Sequence, residues 1–159
     1  MDHAEEGLFD KAFVTTWIRG ENAEVYWATG AKHRGGYAYR LCKIPEGGIS
    51  KITEQCFQNG HLDFAGNTSW IYWKPKQPFE PNNWQAISAV RTRTGTNPSG
   101  SEWAKISLPT EKKKGDGWAF KDLVSVPSDI DPGQYVLSFR WDCQNTPQIW
   151  SSCANINVV

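Results

Sequence analysis

The stretch "GQYVLSFRWDC" (Gly133–Cys143) decides the fold, because its side chains alternate between two sets. One set is apolar throughout and consists of Tyr135, Leu137, Phe139 and Trp141. The other set is mixed and consists of Val136, Ser138 and Arg140. Successive side chains of a β-strand point to opposite faces of the sheet, so only one set can face a core. We therefore expect a strand whose apolar set is buried.

Similar β-rich stretches, bounded by turn signals, recur towards both ends of the chain. They include Ala12–Ile18, Ala23–Thr29, Gly36–Cys42, Ala89–Gly95 and Leu123–Pro127. No window holds a sustained apolar period of 3.6 residues, so we expect no helix longer than about two turns. About eight to ten strands predict one all-β domain over residues 1–159, an antiparallel sandwich of the immunoglobulin or fibronectin III kind. Residues 1–11 would form an N-terminal extension, and residues 74–85 and 111–117 would form long loops.

The composition excludes several partners. Lys plus Arg and Asp plus Glu are both 17, so the formal net charge is zero, whereas a nucleic-acid binder needs a basic excess. No run of 18 apolar residues is present, so no membrane span is expected. A neutral polysaccharide suits such a surface. The nine tryptophans either fill the core or lie on the surface, where an indole face can stack on a sugar ring.

The four cysteines indicate disulfides and an oxidising compartment, extracellular or equivalent. Their spacing is unlike that of a zinc site. Three pairings can be drawn, of which we predict the local one, Cys42–Cys56 with Cys143–Cys153. The N-terminal residues contain no apolar signal segment, so the signal was removed, the sequence is a fragment, or export uses another route.

A glycosylation sequon begins at Asn67, in the sequence Asn67-Thr68-Ser69. It lies in "AGNT", between the strand-like stretches "HLDF" and "SWIYW". We expect these stretches to form a hairpin with Asn67 at its tip.

Three histidines are candidates for metal chemistry. His33 follows one predicted strand and precedes the next, so it lies on a loop at one end of the sandwich. His61 follows a turn and would share a strand face with Asp63. His3, in Met1-Asp2-His3, could wrap Cu(II) if Met1 carries a free amino group.

Two segments resemble the copper-dependent lytic polysaccharide monooxygenases, including the chitin-binding type-4 family. The first is "EVYWATGAKHRGGYAYRLC" (Glu24–Cys42), in which a strand leads to a loop histidine, small residues and an aromatic strand. The second is "GQYVLSFRWDCQNTPQIWSSCANINVV" (Gly133–Val159). The resemblance covers most of Glu24–Cys56 and Pro132–Val159.

The resemblance implies a copper site and a polysaccharide substrate of the chitin or cellulose class. In that family, copper is bound by the amino group and imidazole of an N-terminal histidine and by a second imidazole, which falls on His33. The axial aromatic position, not a donor, falls on Trp150. A polar residue that steadies bound oxygen falls on Gln148.

The segment that carries the first histidine of that family has no counterpart in this sequence. Copper binding by the chain as written is therefore expected to be weak or absent. Three functions follow as hypotheses. The chain is a non-catalytic or truncated relative that binds a glycan or packs in a larger assembly. Alternatively, it is an active copper monooxygenase when the missing histidine is supplied. The third hypothesis is a purely structural subunit of a protein complex.

Overall fold

The computed structural model describes residues 14–31, 33–73, 84–106 and 117–159. Within them lie ten strands, one short α-helix and a 3₁₀ turn at Ile49–Lys51. The strands are β1 Thr15–Trp17, β2 Asn22–Thr29, β3 Gly36–Lys43, β4 Thr68–Trp73, β5 Gln85–Ser88, β6 Val90–Thr92, β7 Trp103–Lys105, β8 Trp118–Ser125, β9 Gly133–Asp142 and β10 Ile149–Val158; the helix is α1 Glu54–Asn59. The predicted all-β class and the absence of a long helix are confirmed for these residues.

Two sheets form the sandwich. The six-stranded sheet has the order β1-β10-β9-β3-β7-β6, and the four-stranded sheet has the order β2-β8-β4-β5. Each described strand pair is antiparallel except β1 with β10, which is parallel. The predicted antiparallel arrangement is therefore correct apart from this one pair at the sheet's edge.

Strand β9 carries the apolar alternation that the sequence predicted. Its four apolar side chains are all buried in the core between the sheets, and β9 itself lies between β10 and β3. Val136 and Ser138, on the opposite face, are buried as well. A second layer therefore covers the outside of this sheet.

Helix α1 provides that second layer. Thr53 caps its start by accepting a hydrogen bond from the Cys56 amide, at 3.2 Å. The predicted disulfide between Cys42 and Cys56 joins β3 to α1. Beneath the helix, Arg40 of β3 donates to Glu54 at 2.6 Å and to Ser138 at 3.0 Å, which provides partners for both of its terminal nitrogens.

The predicted hairpin around Asn67 is wrong. "HLDF" forms no strand but makes two single bridges, His61 with Arg40 in one sheet and Phe64 with Val124 in the other. Asn67 itself is exposed directly before β4, and its use for glycosylation stays a prediction. Within the described residues, no helix is long and apolar enough to cross a bilayer.

The extension at residues 1–11 lies outside the described residues, as do His3, most of the loop at 74–85 and most of the loop at 111–117.

Candidate functional site

His33 lies on the loop between β2 and β3, and that loop is held against the end of β9. The His33 carbonyl accepts hydrogen bonds from the amides of Gln144, at 3.2 Å, and Asn145, at 3.4 Å. The next carbonyl, of Arg34, accepts from the Trp141 indole N–H at 2.8 Å. These bonds join residues more than a hundred positions apart in the sequence and set the position of the histidine.

The close approach of the two segments requires glycine at position 35. Gly35 has φ +102°, a backbone conformation that side-chain-bearing residues rarely adopt. A Cβ atom there would lie 2.0 Å from the carbonyl oxygen of Asp142. Gly35 is therefore what allows the loop to pack on β9.

The His33 ring and Trp150 lie next to the same side chain, the indole of Trp141. The ring centroids of His33 and Trp141 are 6.1 Å apart, and those of Trp141 and Trp150 are 6.5 Å apart in a stacked arrangement. Trp141 and Trp150 are also register partners in β9 and β10. Trp141 is only 3% exposed, whereas Trp150 is 51% exposed. The structure thus gathers His33 and Trp150 at one end of the sandwich.

Gln148 lies in the turn that precedes β10, at the same end. Its carbonyl accepts from the Cys143 amide at 3.0 Å, and its side chain accepts from the Thr146 hydroxyl at 3.3 Å. The side chain is exposed and directed to its own turn. Its predicted role beside bound oxygen stays a prediction.

An open cavity of about 460 Å³ lies beside this group, between the edge strand β2 and strand β10. Trp27, Phe139 and Trp141 are buried side chains in its lining. Tyr26 and Trp150 stand at its exposed border, and the cavity also touches Ser151 and Ser152. Sequence reasoning assigned Trp141 to the core and missed its place beneath the site, because alternation alone does not show what lies next to a buried ring.

The other histidine in the described residues lies elsewhere. His61 Nε2 donates to the Glu102 carbonyl at 2.7 Å, and its ring lies 5.9 Å from that of Trp103. Burial lowers the pKa of His61 below its ordinary value, partly offset by the bond to Glu102. Asp63, its predicted neighbour, is paired with Arg93 at 3.1 Å. His61 is therefore a packed structural residue.

Copper fits the described residues only in part. Among them, no group of three or more His, Cys, Asp or Glu side chains is arranged to hold a metal ion. His33 offers one imidazole at this end, and an indole such as that of Trp150 is no donor to a metal. One imidazole is fewer ligands than a protein copper site uses.

The predicted Cys143–Cys153 disulfide is wrong, and both residues are free thiols. Cys143 follows Asp142, which pairs with Ile149, whereas Cys153 lies four residues further along β10, opposite Ser138. Cys143 is thus five residues beyond Ser138, so at about 3.3 Å per residue the two Cα atoms are roughly 17 Å apart, beyond the roughly 7 Å limit for a disulfide.

Comparison with known proteins supports a distant relationship to lytic polysaccharide monooxygenases. No family model matches the chain. Two curated relatives are described as AA13 family lytic polysaccharide monooxygenase A. The one from Aspergillus terreus is 24% identical over 91% of this chain and 41% of its own length. The one from Pyricularia oryzae is 24% identical over 99% of this chain and 46% of its own length. The chain thus spans less than half the length of either protein.

Comparison with solved structures gave only remote similarities. The collagen-binding subdomain of the Enterococcus faecalis surface protein ACE is 6% identical, with a TM-score of 0.38, over 90% of this chain and 92% of that one. A type I cohesin from Pseudobacteroides cellulosolvens is 11% identical, with a TM-score of 0.36, over 92% of this chain and 88% of that one. Neither likeness bears on function.

Proposed function

We propose that this chain is a lytic polysaccharide monooxygenase-like sandwich that binds a polysaccharide at the end carrying His33, Trp141 and Trp150. The observation that carries the proposal is the row of three rings, which unites segments at opposite ends of the sequence. The alignments with the two AA13 relatives span 91% and 99% of this chain.

The surface at this end suits an uncharged sugar polymer. Trp150 presents about half of its indole to solvent and rests on the buried Trp141, so its orientation is set before a ligand arrives. Pyranose rings have an apolar face of C–H groups that can stack on such an indole. Ser152, two residues along β10 and on the same strand face as Trp150, also lines the cavity, and its hydroxyl can exchange hydrogen bonds with sugar hydroxyls. Chitin or cellulose, the substrate class implied by the chitin-binding type-4 resemblance, is our proposed ligand.

An active copper monooxygenase is the second candidate, favoured by the names of both relatives. His33 would supply one imidazole, and the remaining ligands would come from outside the described residues. We derive no reaction step through copper, because the described residues supply only that one ligand. The disulfide between Cys42 and Cys56 is consistent with a protein that functions in an extracellular or otherwise oxidising compartment.

Polysaccharide binding is tested by sedimentation of the chain with insoluble chitin, cellulose and starch. We expect retention on at least one of them and about a tenfold weaker affinity for Trp150→Ala, the loss typical of a central aromatic contact. Ile18→Ala is the matched control, since Ile18 is a similarly exposed apolar residue on a different part of the surface. Equal losses in both variants, or no retention on any of the three polymers, would refute the proposal.

Copper is tested separately by calorimetric titration of the chain and of His33→Ala. Tight one-to-one binding that His33→Ala abolishes, with peroxide-dependent oxidation of the bound polymer, would establish the enzyme. Weak binding that His33→Ala leaves unchanged would leave the chain a polysaccharide-binding module. Urea unfolding of His33→Ala, compared with the wild type, shows whether this variant remains folded.

A further inference from the structure

The outer face of the four-stranded sheet carries aromatic side chains where an antiparallel sheet usually presents polar ones. Along one row of the register, Tyr26 of β2 is opposite Lys121 of β8, which is opposite Trp70 of β4. Trp84, directly before β5, lies over this row. We call Tyr26, Trp70, Trp84 and Lys121 the outer aromatic face.

The rings of this face contact one another and a single cation. The centroid of Trp84 is 5.8 Å from that of Tyr26. The Lys121 ammonium lies 4.8 Å from the centroid of Trp70 and 5.6 Å from that of Trp84, both within range of a cation–π interaction. Trp70 and Trp84 are half-buried, whereas Tyr26 stands 53% exposed on an edge strand. The face is therefore an ordered aromatic surface with Tyr26 as its accessible part.

The charges on the face compensate one another. Glu24 lies 3.6 Å from the Lys121 ammonium and accepts a hydrogen bond from the Tyr26 hydroxyl. Partial burial, together with the bond to Glu24 and its charge, raises the pKa of Tyr26 to about 12, so its phenol stays neutral. Among the described residues, the face thus carries one ion pair and no net charge, which favours a neutral ligand over an anionic or cationic one.

The outer aromatic face adjoins the site proposed above. Tyr26 and Trp150 are the two aromatic side chains among the exposed large apolar residues that the structure describes. Both border the same opening of about 460 Å³ between β2 and β10. A chain of sugars seated on Trp150 can therefore continue across this opening onto Tyr26.

We propose that the outer aromatic face, centred on Tyr26 and Trp84, is a second polysaccharide-contact surface that takes a neutral sugar chain running on from Trp150. Stacking on Tyr26 and the exposed part of Trp84 supplies contact area, and Glu24 and Lys121 supply hydrogen-bond partners for sugar hydroxyls. Two contacts on one polymer raise its apparent affinity through effective concentration. The ligand class rests on the function proposed above, whereas the site rests on separate residues.

The test compares Tyr26→Ala, Trp150→Ala, the double variant and the Ile18→Ala control. Each is measured for sedimentation with the insoluble polymer that retains the wild type, and for binding of soluble oligosaccharides of two and of six or more units of the same sugar. We expect Tyr26→Ala to weaken polymer and long-oligosaccharide binding about fivefold and to leave the disaccharide unaffected. Urea unfolding of Tyr26→Ala shows whether the variant is folded, and Tyr26→Phe should retain binding, because stacking needs the ring.

The outcomes separate this proposal from the preceding one. If Trp150→Ala weakens binding and Tyr26→Ala does not, the second surface is refuted and the first stands. If Tyr26→Ala weakens binding and Trp150→Ala does not, the outer aromatic face is the binding surface and the function assigned to the His33 end is wrong. A Tyr26→Ala loss that is equal for the disaccharide and the long oligosaccharide would refute the continuous path.

Discussion

Substitution of Asp122 is expected to destabilise the sandwich more than any surface change. Asp122, on β8, is 0% exposed, and its carboxylate accepts hydrogen bonds from three side chains. The Tyr37 hydroxyl donates from β3 at 2.6 Å, the Arg91 guanidinium from β6 at 3.1 Å, and the Ser69 hydroxyl from β4. Two of these partners belong to the other sheet, so the carboxylate links both layers of the core.

The size of the expected loss in unfolding free energy follows from the Arg91 guanidinium, which Asp122→Ala would leave without its carboxylate partner. The Arg91 side chain is only 11% exposed, and its Nε and Nη1 atoms are buried without hydrogen-bond partners among the described residues. Its guanidinium would keep only the face of Phe64, 3.9 Å away. Removing one member of a buried ion pair costs about 3–5 kcal/mol, because the other charge stays desolvated. For a domain of this size, that is a fall in melting temperature of roughly 10 °C.

Urea unfolding monitored by tryptophan fluorescence measures the change. The matched control is Asp129→Ala, which removes an exposed carboxylate and should change the free energy of unfolding by less than about 0.5 kcal/mol. The double variant Asp122→Ala with Arg91→Met should recover part of the loss, because the uncompensated charge is gone. A loss below about 1 kcal/mol for Asp122→Ala, or a double variant that is as unstable as the sum of the two single variants, would refute the reasoning.

Three further perturbations test other parts of the fold. Reduction of Cys42–Cys56, whose sequence separation is 14, should lower the free energy of unfolding by about 3 kcal/mol, and an unchanged urea midpoint in dithiothreitol would contradict this. Gly35→Ala should cost about 2 kcal/mol or more, because its Cβ would meet the Asp142 carbonyl at 2.0 Å; wild-type stability would mean that the loop packs differently. His61 has a lowered pKa when folded, so the unfolded chain takes up its proton first and stability falls as the pH drops through about 6.5. His61→Gln should therefore lose less stability than the wild type between about pH 7.5 and 5 by urea titration, and equal losses would contradict the assignment.

Part of the candidate site could be predicted from the sequence. His33 was expected on a loop at one end of the sandwich because it separates two strongly β-rich stretches, and the structure has it there. The tertiary contact with Trp141, the cavity and the outer aromatic face were not foreseen. Tyr26 belongs to a strand whose partners are set by distant segments, so its position across from Lys121 is not encoded in nearby residues.

The sequence by itself determined the class of fold and the face of β9 that is buried. Both follow from side-chain alternation with a period of two, which is a local property of the chain. Nearness in sequence predicted the Cys42–Cys56 link correctly, but the same argument predicted Cys143–Cys153, so the sequence alone did not decide which cysteines pair.

Only the tertiary structure decided the order of strands, the parallel pairing of β1 with β10 and the register between β9 and β10. That register separates Cys143 from Cys153 although they are ten positions apart, and it places Trp150 beside Trp141. Ser138, on the outer face of the sheet, is buried because α1 packs over that face, which is also a tertiary contact. Alternation is set within a strand, whereas order and register depend on backbone hydrogen bonds and side-chain packing between segments that are far apart in the chain.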